Sequence, residues 1–130
     1  NDIKVREDYI FGTDYSRGQA RSAAESLIKA ADPATAVFVA SDSMALEVMA
    51  VARELGKDIP GDLSIVGFDD NPSGLYGPVA LTTVRQPLIK MAEESVKELN
   101  RLITLKKNAP KKILLPAQMV IRESCRPFTG

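Results

Sequence analysis

The run Leu63-Ser64-Ile65-Val66-Gly67-Phe68 meets two carboxylates, Asp69 and Asp70, and stops there. Uncharged and rich in β-branched and aromatic residues, it reads as a buried strand. A second apolar run, Ala36-Val37-Phe38-Val39-Ala40, stops in the same manner at Ser41-Asp42. Residues 43–55 between them carry helical spacing and end at Gly56. Strand, helix, strand in that order predicts a parallel sheet, and ligands of such sheets gather beyond the carboxyl ends of the strands. Two strands that both end in polar groups predict one shared site. Acidic side chains there suit a polar ligand with hydroxyl donors, or a cation.

The remaining elements follow the same alternation. Residues 9–11 read as a short strand before Gly12. Residues 16–29 read as a helix with Ala20, Ala23, Ala24, Leu27 and Ile28 on one stripe, broken by Asp32-Pro33. Ser41 or Asp42 is the N-cap of the helix over residues 43–55. Residues 71–78 read as a loop, residues 81–85 as a strand and residues 88–105 as a long amphipathic helix, with Leu88, Ala92, Val96, Leu99 and Ile103 in line. A charged loop over residues 106–112 precedes a last strand over residues 113–121, where Pro116 implies an edge or a crossing. The fold class is α/β, a mainly parallel sheet flanked by helices.

The helix over residues 43–55 is apolar all round apart from Glu47. Met44, Val48, Val51, Ala52 and Leu55 suit the sheet, which leaves Leu46, Met49 and Ala50 on a side that needs a second cover. Either another subunit supplies it, or the loop over residues 71–77 does, with Leu75 and Tyr76. The stripe of the helix over residues 88–105 also needs a wide partner, and little chain remains to provide one. It is expected to swap onto another molecule or pack against a neighbour.

Composition narrows the function. At 130 residues the chain has the size of one domain. Lys and Arg total 17, as do Asp and Glu, so its net charge provides no pull toward nucleic acid or anionic membrane. One cysteine, Cys125, excludes an internal disulfide, and the lack of histidine removes the commonest general base and metal ligand. No stretch is apolar and long enough to span a bilayer, and a cytoplasmic location is expected. Met44 and Met49 read as packing, Cys125 as an ordinary thiol, and Lys106, Lys107, Lys111 and Lys112 as a solvated loop. Asp69 and Asp70 also admit a plain reading as solvated strand-end residues, with Asp70 opening the Asn71-Pro72 turn. Arg85-Gln86-Pro87 likewise reads as an ordinary strand-to-helix turn. An enzyme alternative makes Asp69, Asp70 and Asp42 the acid pocket of a magnesium-dependent phosphoryl-transfer domain. It lacks a cation at a neighbouring strand end and an evident nucleophile.

Four segments together resemble the LacI/GalR family of bacterial transcription regulators. The first is Ala36 through Leu46, similar to the family's strand, Asn-Asp and helix unit. The second runs from Gly56-Lys57-Asp58-Ile59-Pro60 to Val66-Gly67-Phe68-Asp69-Asp70. The third is Leu81-Thr82-Thr83-Val84-Arg85-Gln86-Pro87, and the fourth joins Leu114-Leu115-Pro116 to Ile121-Arg122-Glu123-Ser124. The resemblance implies one lobe of a periplasmic-binding-protein-like type I fold. Residues 1–86 and 113–130 would form the C-terminal effector-binding lobe, and residues 87–112 a crossover helix belonging to an N-terminal lobe outside the chain. It implies an effector-sensing, dimerising part of a DNA-binding regulator, with no cofactor and no metal, acting as a homodimer that reaches DNA through an N-terminal helix-turn-helix not in this sequence. The effector, a sugar, sugar phosphate or purine, would sit between the lobes against Asp69, Ser41 and Tyr15. Ser41 replaces the family's usual Asn, and Asp42 is expected to be a helix cap. Leu46, Met49, Ala50 and Tyr76 would form the dimer interface, and Gln86 and Pro87 the hinge. The family arginine that grips the effector would lie upstream of residue 1.

Overall fold

The structure, a computed structural model, describes residues 6–105, 109 and 111–127. Its centre is a four-stranded sheet: β1 (Ala36–Phe38), β2 (Ser64–Phe68), β3 (Thr82–Arg85) and β4 (Gln118–Val120), in that spatial order. β1, β2 and β3 are parallel, with Phe38 opposite Val66 and Phe68 opposite Val84, and β4 runs antiparallel to β3. This is the mixed, mainly parallel sheet expected of the family fold.

α1 (Arg17–Ile28) and α2 (Asp42–Glu54) pack together on one face of the sheet. Their inward stripes follow the sequence spacing. Ala20 and Ala24 of α1, and Met44, Ala45, Val48 and Ala52 of α2, join Ile65 and Leu81 of the sheet in one core. Of these, the larger side chains (Met44, Val48, Ile65 and Leu81) stabilise by about 1.5–3 kcal/mol each when fully buried, and the alanines let α1 and α2 approach closely. Ser16 caps α1, its hydroxyl accepting from the Gln19 amide, and Gly56 at φ +70° ends the turn after α2. Glu47, the one polar residue in the middle of α2, is nearly covered because it pairs with Arg17 of α1 at 2.5 Å.

Three expectations fail for identifiable reasons. Residues 9–11 form no strand: Glu7–Tyr9 is a single 3-10 turn, Ile10 and Phe11 are exposed, and among the described residues none of the three pairs with the sheet. Of residues 113–121 only Gln118–Val120 joins the ladder, and it lies at the sheet edge after Pro116, where a missing N–H is tolerated. Met49 is 0 % exposed and belongs to the core. The second cover of α2 is its own chain: a methyl on Gly77 would meet Leu46 at 3.0 Å and the Met49 sulfur at 3.2 Å. Met49 therefore has no surface left for a partner, and leaves the set proposed for an interface.

β3 passes through Gln86-Pro87 into α3 (Leu88–Leu105), whose bounds match the periodicity. The Pro87 carbonyl accepts from the Met91 amide at 2.9 Å, so proline sits where its missing donor is not needed. Leu88, Val96, Leu99 and Ile103 are all exposed. The charged-loop expectation over residues 106–112 falls largely outside the described residues. Among the described residues no helix is long and apolar enough to cross a membrane.

Candidate functional site at the strand ends

Phe38 and Val66 are paired, and Ser41 and Asp69 each lie three residues beyond them on parallel strands. Both therefore emerge at the same end of the sheet. The loop before α1 is drawn to this end by Thr13, whose hydroxyl lies 3.8 Å from the Met44 sulfur in the first turn of α2. Tyr15 follows at φ +64° and 67 % exposed. Asp14 accepts from the Ser16 amide at 2.9 Å, and the Ser16 hydrogen bonds hold its carboxyl below the usual range.

The two adjacent carboxylates have separate duties. Asp69 is exposed at φ +111° and Asp70 follows at φ +56°, two consecutive non-glycine residues with left-handed backbone. Such conformations cost on the order of 1–3 kcal/mol each and persist where neighbours over-determine them. Here the Asp69 amide donates to the Val84 carbonyl at 2.9 Å. The Gln86 amide nitrogen donates to Asp69 Oδ1 at 2.7 Å. Among the described residues Asp69 Oδ2 has no partner.

Asp70 faces inward between two guanidinium groups. Arg85 Nε reaches Oδ2 at 2.5 Å, and Arg122 Nη2 bonds Oδ1. Burial works against the charged form, but the hydrogen bonds from Arg122 and Arg85 outweigh it and hold the carboxyl below its ordinary value. With both oxygens engaged, Asp70 braces the rim and leaves Asp69 to face outward. Arg122 also donates to the Leu81 carbonyl at 2.7 Å, so it locks the C-terminal segment to β3.

Asp42 is not the helix cap. Ser41 is: its hydroxyl accepts from the Met44 amide at 3.3 Å. Asp42 is 1 % exposed and reaches across the sheet, with Oδ1 accepting from the Thr83 hydroxyl and Oδ2 from the Asn71 amide, both at 2.6 Å. The physical reason is directional. Ser41 has the extended backbone of a cap, while Asp42 is the first helical residue and lies directly over β2.

Ser41 and Asp69 thus leave the sheet at one end, the loop that carries Tyr15 is tied to the first turn of α2 through Thr13, and Asp70 and Asp42 are committed to internal bonds. Beside Asp69 an open cleft of about 540 Å³ is lined by Arg85, Gln86, Pro87, Ile89 and Lys90. Leu46 is half covered and Tyr76 is 85 % exposed, on the segment that seals Met49. Arg122 and Thr83 went unassigned from sequence. The signal for Arg122 was available: two neighbouring carboxylates at a strand end need a countercharge. Thr83 carried none, since a threonine in a strand is ordinary.

A periplasmic binding protein-like domain matches residues 2–125. The chain belongs to that family. Among relatives, the HTH-type transcriptional regulator MalR of Clostridium butyricum is 39% identical over 125 residues, 96% of this chain and 37% of MalR. A LacI-type putative transcriptional regulator from Bacillus cereus subsp. cytotoxis superposes with a TM-score of 0.90 at 27% identity, over 98% of this chain and 45% of that one. A LacI family regulator from Enterococcus faecium, solved with bound ribose, gives a TM-score of 0.77 at 29% identity, over 92% of this chain and 44% of that one. The resemblance to the effector-binding domain of LacI/GalR regulators holds. These relatives are regulators rather than enzymes. The phosphoryl-transfer alternative has no support: Asp42 and Asp70, two of its three carboxylates, are engaged in internal bonds. The chain spans little more than a third of the length of MalR.

Proposed function

We propose that this chain is the effector-sensing part of a longer DNA-binding transcription regulator, and that it forms one wall of a cleft for a small sugar-like or purine-like molecule. The observation that carries the reading is Asp69. It is an exposed carboxylate held on a strained turn, with one oxygen engaged by Gln86 and the other free of partners among the described residues. A carboxylate only accepts hydrogen bonds, so it suits a vicinal diol or a ring N–H. Ser41 contributes a hydroxyl that accepts from the Met44 amide and keeps its own hydrogen for a ligand acceptor. Tyr15 supplies an exposed ring at the flank. The ribose bound to the Enterococcus faecium regulator is of the chemical class this rim fits.

The Gln86 contact gives the mechanism its physical basis. Gln86 and Pro87 connect β3 to α3, and the Gln86 amide already holds Asp69. A ligand that engages Asp69 meets the crossover at the same place. Its differential affinity for two orientations of the lobes shifts their populations, and that shift reaches the DNA-binding end by linkage. α3 serves as the crossover helix that belongs to the other lobe. Leu46, Ala50 and Tyr76 are the remaining candidates for a homodimer contact. A cytoplasmic location goes with this role.

A thermal-shift series on the whole regulator with ribose, maltose, cellobiose and hypoxanthine tests the reading. One of them is expected to raise the melting temperature, and Asp69→Asn is expected to abolish that rise while leaving the ligand-free protein folded. An upstream sequence without a helix-turn-helix, or a ligand response untouched by Asp69→Asn, sinks it.

A further inference from the structure

Ser41 and Asp69 leave the sheet at one end, but the sheet does not fix the distance between them. The register of β1 with β2 ends at Phe38 and Val66, short of both residues. Asp69 is held from the β3 side: its amide donates to the Val84 carbonyl, and its carboxylate accepts from Gln86 just beyond β3. Ser41 follows β1 and caps α2. A ligand gripped by both needs them at one separation, and a site loose by about 1 Å binds poorly.

Asp42 spans the gap. It follows Ser41 directly in the chain and is buried. Its carboxylate lies over Gly67, where a Cβ would stand 2.2 Å from Oδ1, and Gly67 is paired with Thr83 of β3. Oδ1 accepts from the Thr83 hydroxyl and Oδ2 from the Asn71 amide, both at 2.6 Å. The Thr83 oxygen in turn accepts from the Asp70 amide at 3.4 Å. The hydrogen-bond path therefore runs from the residue next to Ser41 to both residues that follow Asp69. It ends on the strained turn, where Asp69 and Asp70 have φ +111° and +56° and need neighbours to hold them. Capping does not account for the carboxylate, because Ser41 already accepts from the Met44 amide. A buried polar network with its members satisfied is rigid.

We infer that Asp42 is a positioning residue for the ligand site. With Thr83 it clamps the first turn of α2 to the turn after β2, and so sets the spacing between the Ser41 hydroxyl and the Asp69 carboxylate. It touches no ligand itself. The inference rests on the reading of Ser41 and Asp69 as ligand-contacting groups, and adds what holds them in register. It also gives the buried Thr83 a role that belongs to its hydroxyl rather than to its methyl.

Asp42→Ala removes the clamp but strands two buried donors, so the sharper test exchanges Thr83, in the whole protein and at a temperature where every variant is folded. Thr83→Ser keeps the hydroxyl and loses a methyl; Thr83→Val keeps the branched shape and loses the hydroxyl. Calorimetry uses ribose, maltose, cellobiose and hypoxanthine as probes. For a probe that binds through Asp69, Thr83→Ser is expected to stay within about threefold of the unmodified affinity and Thr83→Val to bind about tenfold more weakly. A valine variant that binds as well as the serine variant overturns the inference. Hydrogen exchange needs no ligand. The Asn71 amide is measured against the Val39 amide, which donates to Val66 in the sheet. That ratio is expected to rise about tenfold in Thr83→Val and to hold in Thr83→Ser; the same ratio in both overturns the clamp. The two readings fail separately. A ratio that rises in a protein binding none of the four probes keeps the clamp and ends the ligand reading. An unchanged ratio in a protein that binds one of them through Asp69 does the reverse.

Discussion

Gly67 has no room for a methyl group. A Cβ there would lie 2.2 Å from Asp42 Oδ1 and 2.9 Å from the Leu81 side chain. Gly67→Ala must push Asp42 off the Thr83 hydroxyl and the Asn71 amide, and urea unfolding is expected to show a loss of about 1–3 kcal/mol or more. Asp42→Asn is a sharper probe. It keeps the volume but supplies an amide where the Thr83 hydroxyl and the Asn71 N–H both donate, so one bond is lost and a donor faces a donor. A loss within 0.5 kcal/mol, the size of an ordinary surface change, contradicts the bracing role. Asp70 gives the pH dependence. Its folded pKa lies below its unfolded value near 3.9, so its contribution is complete above that value and fades as pH falls through the lower folded one. Asp70→Asn is expected to flatten the acid side of the stability curve below about pH 4 and to leave its neutral shape unchanged. Titration of stability between pH 2 and pH 7 measures this. That these carboxylates are braces was not legible in the sequence. Two acidic residues at a strand end look alike until Arg85 and Arg122 arrive from positions 15 and 52 residues away to hold one of them.

At the scale of elements, α3 is the exposed one. Its bounds were readable from periodicity because a stripe of Leu88, Val96, Leu99 and Ile103 is local information. What covers the stripe is not local, and these side chains remain exposed in this chain. An apolar stripe of that length in water favours association. Sedimentation velocity of the chain is therefore expected to show concentration-dependent self-association, and Leu99→Glu with Val96→Glu to weaken it while helix content by circular dichroism persists. A compact monomer at high concentration for the unmodified chain counts against this. The short strand expected over residues 9–11 illustrates the opposite case. Its residues have the right composition, but a strand exists only when its backbone pairs with a neighbour, and among the described residues none of the sheet's strands pairs with residues 9–11.

At the scale of the molecule, the candidate site is a rim and not an enclosed pocket. Asp69 and Ser41 leave the sheet at one end, and the cleft beside Asp69 is open. Pockets that bind small polar molecules well bury most of the ligand's surface, so half a cleft forfeits most of the affinity. Calorimetry with the chain alone is expected to show no tight binding of ribose or of any sugar that stabilises the whole regulator. Tight binding by the chain alone would place the complete site within this lobe and remove the reason for coupling the lobes.

What the sequence determined by itself was whatever depends on neighbours along the chain. Apolar runs ending in polar residues set the strands and the end of the sheet where Ser41 and Asp69 emerge; helical spacing set α1, α2 and α3; and four ordered motifs set the family. The tertiary structure alone decided which polar groups are free. It turned Asp42 into a buried brace, gave the cap to Ser41, paired Asp70 with two arginines, and sealed Met49 beneath Gly77. The reason is that hydrogen-bond partners and covers are chosen by distance in space, while periodicity records only distance along the chain.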